Sequence, residues 1–285
     1  MTNVTAPSII EKKLLSFEEK KDALTACIEK LASAAVAFSG GVDSTLLLAV
    51  SFDLLGSRAA AVTGCSLSFP PRELKAAQAF TESLGIKHYL VDSEELNLPA
   101  FSQNPPNRCY LCKTELFTKI KNLAAEKNLS AVLEASNADD EGDYRPGLQA
   151  VRELGILSPL RQARLTKDEI RRWSKELNLP TWNKPAFACL ASRFPYGESI
   201  TPERLARLDK AESFLLSLGL NQVRVRLHEQ ATLARIETDE ESFSLLSRGD
   251  LRQKVYGRFK ELGFAYVAVD ILGYRTGSMN LTLQK

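Results

Sequence analysis

Apolar positions recur at helical spacing over residues 9–31, where Ile10, Leu14, Leu15, Leu24, Ile28 and Leu31 share a face. The pattern then shortens. "AAVAF" (34–38) is a continuous apolar run of strand length. "STLLLAVSFDLL" (44–55) reads as a helix and "AAAVTG" (59–64) as a second strand. "PPRELKAAQAFTESLG" (70–85) opens on proline and closes on glycine, the start and stop signals of a helix. "KHYLVD" (87–92) is a third strand, "CKTELFTKIKNLAAEKN" (112–128) a helix and "SAVLEAS" (130–136) a fourth strand. Strand and helix alternate through about residue 180. Buried strands separated by helices predict a parallel sheet covered on both faces, an α/β fold.

After "SRFPYG" (192–197) the rhythm changes. "TPERLARLDKAESFLLSLG" (201–219) is one capped helix. "NQVRVRLHE" and "ATLARIET" alternate as strands, helical segments run to about Leu262, and "FAYVAVDI" is a further strand. The expected division is an α/β domain over residues 1–195 and a smaller α+β domain over 196–285. No internal repeat, low-complexity tract or long linker interrupts it.

Composition narrows the function classes. The 285 residues are 44% hydrophobic and 25% charged, an ordinary globular balance. The 37 basic and 35 acidic residues leave a net charge of +2, which argues against broad capture of nucleic acid. No apolar run approaches the ~20 residues that span a membrane. The N-terminus lacks a basic region followed by an apolar one, so no secretory signal is expected. The five cysteines, Cys27, Cys65, Cys109, Cys112 and Cys189, are an odd number. Without a signal they point to a reducing, cytoplasmic setting and to reactive or metal-binding thiols.

The chemistry starts where the first strand runs into "SGGVDS" (39–44) and a helix follows. Glycines let a ligand approach the backbone, and the N–H groups opening a helix attract an anion. Ser39 and Ser44 add hydroxyl donors. No lysine follows the glycines, so this is not the GxxxxGK[ST] loop. The bland alternative is a glycine-rich turn without a ligand. The motif resembles the PP-loop of the ATP pyrophosphatase superfamily, whose members cleave ATP between the α- and β-phosphates. The resemblance implies that Ser39, Gly40, Gly41 and Ser44 cradle the pyrophosphate and that Asp43 positions it or a Mg²⁺ ion.

Residues 141–160 ("EGDYRPGLQAVRELGILSPL"), 192–201 ("SRFPYGESIT"), 223–237 ("VRVRLHEQATLARIE") and 269–280 ("VDILGYRTGSMN") together resemble the LarE family. With the loop, the likeness spans most of the chain. It implies an ATP-dependent sulfur transferase acting on pyridinium-3,5-biscarboxylic acid mononucleotide in nickel-pincer nucleotide cofactor biosynthesis. Each carboxylate would be adenylylated and then attacked by sulfur. Adenylylation turns a poor electrophile into one with a good leaving group. Such a substrate calls for arginines. Arg224, Arg226 and His228 share one face of a strand by period-2 geometry, as a phosphate clamp or as a solvated face bridged to Glu229 or Glu237. Arg193 and Arg275 complete the substrate-binding candidates, and His228 is expected to be structural. The resemblance also implies a homo-oligomer.

In part of that family one cysteine just before "SRFPYG" gives up its own sulfur, and Cys189 lies in the corresponding stretch. Another branch carries three cysteines and a [4Fe–4S] cluster. The resemblance extends that set to Cys109, Cys112 and Cys189, with one iron left open for sulfide. Other readings of "NRCYLC" are a redox pair or persulfide relay and a zinc half-site. His88 and His228 have no zinc-ligand spacing to a cysteine. Cys27 reads as core, and Cys65 ends a strand. Two further functions compete: a PP-loop tRNA thiolase, and a non-enzymatic nucleotide- or cluster-binding sensor.

Overall fold

The computed structural model describes residues 15–140, 146–185 and 187–283. The expectations for Ile10 and Leu14, and for the opening of the 141–160 motif, lie outside the described residues. Helix α1 (Phe17–Glu29) is capped by Ser16, whose hydroxyl accepts from the Glu19 amide while the Glu19 carboxylate accepts from the Ser16 amide. Then come β1 (Ala34–Ala37), α2 (Val42–Leu55), β2 (Ala59–Cys65), α3 (Pro71–Ser83), β3 (Lys87–Asp92), α4 (Pro99–Ser102), α5 (Arg108–Glu126) and β4 (Ala131–Leu133).

These strands form one parallel sheet in the order β3-β2-β1-β4. The chain leaves β1 toward β2 and returns later to β4 on its other side. A crevice therefore opens beyond the carboxyl end of β1, where ligands of open α/β sheets bind. One face of the sheet is covered by Leu24, Ile28, Leu46, Leu47, Ile170 and Trp173. The other is covered by Phe117, Ile120, Ala124 and Val151. Helix α5 lies close on β2: a Cβ on Gly64 would stand 2.5 Å from Leu116 Cδ1.

After β4 come α6 (Gly147–Glu153), α7 (Pro159–Gln162) and α8 (Lys167–Glu176). The alternation expected to residue 180 thus ends at β4. A lone parallel bridge between Leu133 and Leu157 marks where a further strand would lie. Pro159, which has no amide to donate, starts a helical turn instead.

The rest of the chain comprises α9 (Pro202–Ser217), β5 (Val223–His228), β6 (Leu233–Thr238), α10 (Glu240–Leu246), α11 (Gly249–Glu261) and β7 (Tyr266–Val269). Strand β6 pairs antiparallel with β5 and parallel with β7. Leu205, Leu208, Leu215, Val225, Phe259 and Phe264 fill a second core. Phe101 of α4 and Leu190, Ala191 and Phe194 pack into that core too. Backbone bonds hold the two parts together: the Ile200 amide donates to the Ser102 carbonyl at 2.8 Å, and the Gly197 amide to the Asn104 carbonyl at 2.9 Å.

Candidate active site

The loop after β1 is preorganised by its own hydroxyls. Ser39 Oγ and Ser44 Oγ lie 3.2 Å apart, and Ser44 Oγ donates to the Gly41 carbonyl at 3.2 Å. Gly40 has φ +67°, the left-handed region that side chains avoid, and a Cβ there would stand 3.4 Å from Ala77 Cβ of α3. Gly41 is the N-cap of α2 and has no side chain with which to satisfy the helix's first amides. Those amides therefore face the crevice. Asp43, in the first turn of α2, accepts from Asn137 Nδ2 at 3.0 Å and pairs with Lys167 Nζ.

A second lysine reaches the loop from far along the chain. Lys184 Nζ donates to the Gly40 carbonyl at 2.9 Å and to Glu73 at 2.7 Å. Neither lysine was visible as a loop partner in the sequence, because each lies over a hundred positions away with no periodic pattern around it.

The segment from Lys184 to Arg193 then passes the cysteines. The helix expected from Cys112 begins earlier, at Arg108, so both Cys109 and Cys112 lie in the first turns of α5. Cys189 caps a short 3₁₀ turn over Leu190–Arg193. The three thiols influence one another. Burial, then Cys189, Glu95 and Cys109, pushes the Cys112 thiol well above its ordinary range. Burial and then Cys109 push Cys189 up, opposed by Arg108 and Arg193. Arg108 is itself buried, stacks on Tyr196, and keeps an Nε donor without a partner. Among the described residues, no three Cys, His, Asp or Glu side chains gather tightly enough to hold a single metal ion. Cys27 is half-buried, its thiol 3.5 Å from Gln162, and Cys65 closes β2 opposite Asp92. His88 is held between Thr63 and Thr81.

Arg193 ends the segment and is fully buried. Its Nε and Nη2 donate to Glu212 at 2.8 and 3.0 Å, and its Nη1 to the Ala188 and Cys189 carbonyls at 2.7 and 3.1 Å. It rivets the Cys189 loop to α9. Arg226 donates to Glu237 at 2.8 Å and to the Ser192 carbonyl at 3.1 Å. The basic face of β5 is thus buried rather than solvated. Arg224 is 6% exposed and lies over the Tyr274 ring. Burial, then Arg193, lowers its pKa to about 10. Arg235 pairs with Glu237 and Asp270, and Arg275 approaches Asp270 at 3.9 Å. Among the described residues Arg193, Arg226, Arg235 and Arg275 pair with Glu212, Glu237 and Asp270, and Arg72 also reaches Glu212. This basic cluster suits an anionic ligand.

No family model matches the chain. It is 44% identical over 268 residues to an uncharacterised protein of Synechocystis, an alignment covering 94% of this chain and 99% of that one. It is 38% identical over 270 residues to the pyridinium-3,5-bisthiocarboxylic acid mononucleotide synthase of Lactiplantibacillus plantarum, covering 93% of this chain and 95% of that one. A more distant likeness, 24% over 165 residues and 53% of this chain, joins it to the argininosuccinate synthase of Methanosarcina barkeri, of which 42% is covered. With a parallel α/β sheet, a PP-loop at its crossover and an alignment end to end, the chain belongs to the family of the pyridinium-3,5-bisthiocarboxylic acid mononucleotide synthase.

Proposed function

We propose that the chain is an ATP-dependent sulfur transferase that converts the carboxylates of pyridinium-3,5-biscarboxylic acid mononucleotide to thiocarboxylates for nickel-pincer nucleotide cofactor synthesis. The observation that carries this is the segment from Lys184 to Arg193. Within ten residues it touches the PP-loop, supplies Cys189 and enters the arginine patch.

A substrate carboxylate attacks the ATP α-phosphorus, forming an acyl adenylate and releasing pyrophosphate. The amides opening α2 and the Ser39 and Ser44 hydroxyls hold the departing pyrophosphate. Lys167 and Lys184 offset its charge, and Asp43 is the carboxylate offered to Mg²⁺. Arg224, Arg226 and Arg275 hold the substrate's phosphate. Arg193 positions the Cys189 loop. The acyl adenylate and hydrosulfide then give thiocarboxylate, AMP and one proton.

Cys109, Cys112 and Cys189 would hold a [4Fe–4S] cluster, which supplies an open iron for the sulfide nucleophile. The residues fit that group. Each thiolate of a cluster binds a different iron, so the three need not crowd as around a single ion. Arg108, with its unpartnered Nε, offsets the anionic charge. The surroundings fit a free thiolate relay less well, because burial holds Cys112 and Cys189 protonated. The same reading includes a homo-oligomer, since edge strand β7 and its sequel expose Tyr266, Val269, Ile271 and Leu272.

The test is anaerobic incubation with Mg-ATP, the pyridinium substrate and sulfide. Pyrophosphate and AMP should appear with the thiocarboxylate, over repeated turnovers. ADP with phosphate would refute the loop assignment. Dehydroalanine at Cys189 would replace the cluster by a sacrificial cysteine.

A further inference from the structure

Arg226, one of the arginines assigned to the substrate's phosphate, is 5% exposed. A phosphate held by a guanidinium group must touch its N–H donors. Some of the cover over Arg226 therefore moves when the anion binds. Two of its neighbours are fixed: Glu237 lies in β6, and the Ser192 carbonyl lies in the loop that Arg193 rivets to α9. A third is Ser278, in the chain beyond β7.

Ser278 Oγ accepts from Arg226 Nη2 at 3.2 Å and donates to Glu237 Oε1 at 3.0 Å, so one hydroxyl closes over the ion pair. Met279 Sδ lies 3.6 Å from Arg235 Nη2, and Asn280 Oδ1 accepts from the Tyr196 hydroxyl at 3.0 Å. The Tyr274 amide donates to the Thr238 carbonyl at 2.8 Å and anchors the segment to β6. Beyond it, among the described residues, the backbone bonds only to itself. The Ser278 amide donates to the Arg275 carbonyl at 3.2 Å and the Asn280 amide to the Gly277 carbonyl at 2.8 Å, leading into a 3₁₀ turn over Ser278–Leu283. Residues 275–283 thus form a small unit of their own, fastened to the rest of the chain by side chains.

We propose that residues 275–283 are the lid of the phosphate site, pivoting after Tyr274, with Ser278 as the latch. The ligand class is a phosphomonoester, and the assignment rests on the reading that puts the substrate's phosphate at these arginines. Opening breaks the Ser278, Met279 and Asn280 contacts and uncovers the Arg226 donors while the sheet stays intact. Among the described residues none of 275–283 joins the apolar cluster of the second core, so opening costs side-chain contacts and little buried apolar surface. Closing over the bound anion brings Arg275, which is exposed and only approaches Asp270 at 3.9 Å, onto the phosphate. Ser278 then turns its hydrogen from Glu237 to a phosphate oxygen. A cover of this kind admits the substrate and holds it through the reaction.

The chain has two methionines, Met1 and Met279, so methyl-¹³C methionine labelling of the full chain puts one reporter on the lid. In ligand-free protein the Met279 methyl signal should show microsecond-to-millisecond exchange. Saturating inorganic phosphate, its binding followed by calorimetry, should quench that exchange and shift the signal. Ser278→Ala should move the open-to-closed ratio about tenfold toward open, the effect of one hydrogen bond to a charged group. Ser278→Thr, which keeps the hydroxyl, should hold the wild-type ratio. Ser278 is half-buried and outside the core, so both variants should keep a near-normal melting temperature. Bound phosphate that leaves the Met279 signal and its exchange unchanged overturns the lid. So does wild-type exchange in Ser278→Ala, and so does a failure of wild type to bind phosphate. The probe is phosphate and not the pyridinium substrate. A protein that closes on phosphate but transfers no sulfur therefore sinks the functional reading and leaves the lid standing.

Discussion

Replacing Glu212 by Gln should unseat the joint between the two cores. Glu212 is 1% exposed. One of its oxygens accepts both Arg193 Nε at 2.8 Å and the Val225 amide at 3.0 Å; the other accepts Arg193 Nη2 at 3.0 Å and approaches Arg72 at 3.5 Å. Gln removes the charge and turns one oxygen into an NH₂ that faces a guanidinium N–H. Arg193 stays buried without a counter-charge. Breaking one partner of such a pair typically costs about 3–5 kcal/mol. In a chain this long, 1 kcal/mol moves the melting midpoint by roughly 2–4 °C, so a drop on the order of 10 °C is expected. Far-UV circular dichroism is the suitable probe. Both tryptophans, Trp173 and Trp182, precede the second core, and Trp173 packs in the first. The cycle completed by Arg193→Met and the double variant should be strongly non-additive, the double costing little more than either single change. A midpoint shift below about 2 °C for Glu212→Gln, or costs that simply add, would refute the reasoning.

Asp43→Asn should abolish pyrophosphate release while leaving the circular dichroism spectrum intact; unimpaired release would remove Asp43 from the chemistry. Arg224→Ala or Arg226→Ala should weaken substrate binding by about 2–5 kcal/mol with little effect on ATP, read by calorimetry, and an unchanged substrate constant would shift attention to Arg275. Each Cys→Ala change at 109, 112 or 189 should abolish the iron content and broad absorbance of anaerobically reconstituted protein; retention in any one of them removes that ligand. Stability should also fall in acid. Burial raises the Glu212 pKa, but Arg193 and the Val225 amide hold it below the ordinary 4.5. A depressed folded value contributes stability that is present above 4.5 and lost as pH falls through the folded value. Denaturation midpoints should thus drop below that pH in wild type and flatten in Glu212→Gln.

The first half of the fold was legible because its strands are uninterrupted apolar runs and its helices carry their own stop signals. "AAVAFSGGVDST" announced both β1 and the loop, since glycines and hydroxyls there break a strong apolar pattern. The start of α5 was less legible. Pro105 and Pro106 suggest a loop through Cys109, but Asn107 already caps a helix that takes in both thiols. The alternation of Arg224 and Arg226 gave the correct face of β5, while its burial could not be read. Their partners Glu212, Glu237 and Tyr274 come from other elements, and no local pattern announces a buried cation. Lys167, Lys184 and Arg108 escaped notice for the same reason: each acts through one long-range contact.

The close seat of α5 on β2 has a consequence for how the thiols are aimed. Leu116 rests where Gly64 has no methyl group, and it lies one turn beyond Cys112 on the same helix. A helix wedged at that point cannot slide along the sheet without driving Leu116 into backbone. The pointing of Cys109 and Cys112 is therefore set by an atom that β2 lacks, on a strand that carries none of the chemistry. Gly64→Ala would act like a shim under a bearing, forcing Leu116 out of its seat on β2 while leaving every proposed ligand in the sequence.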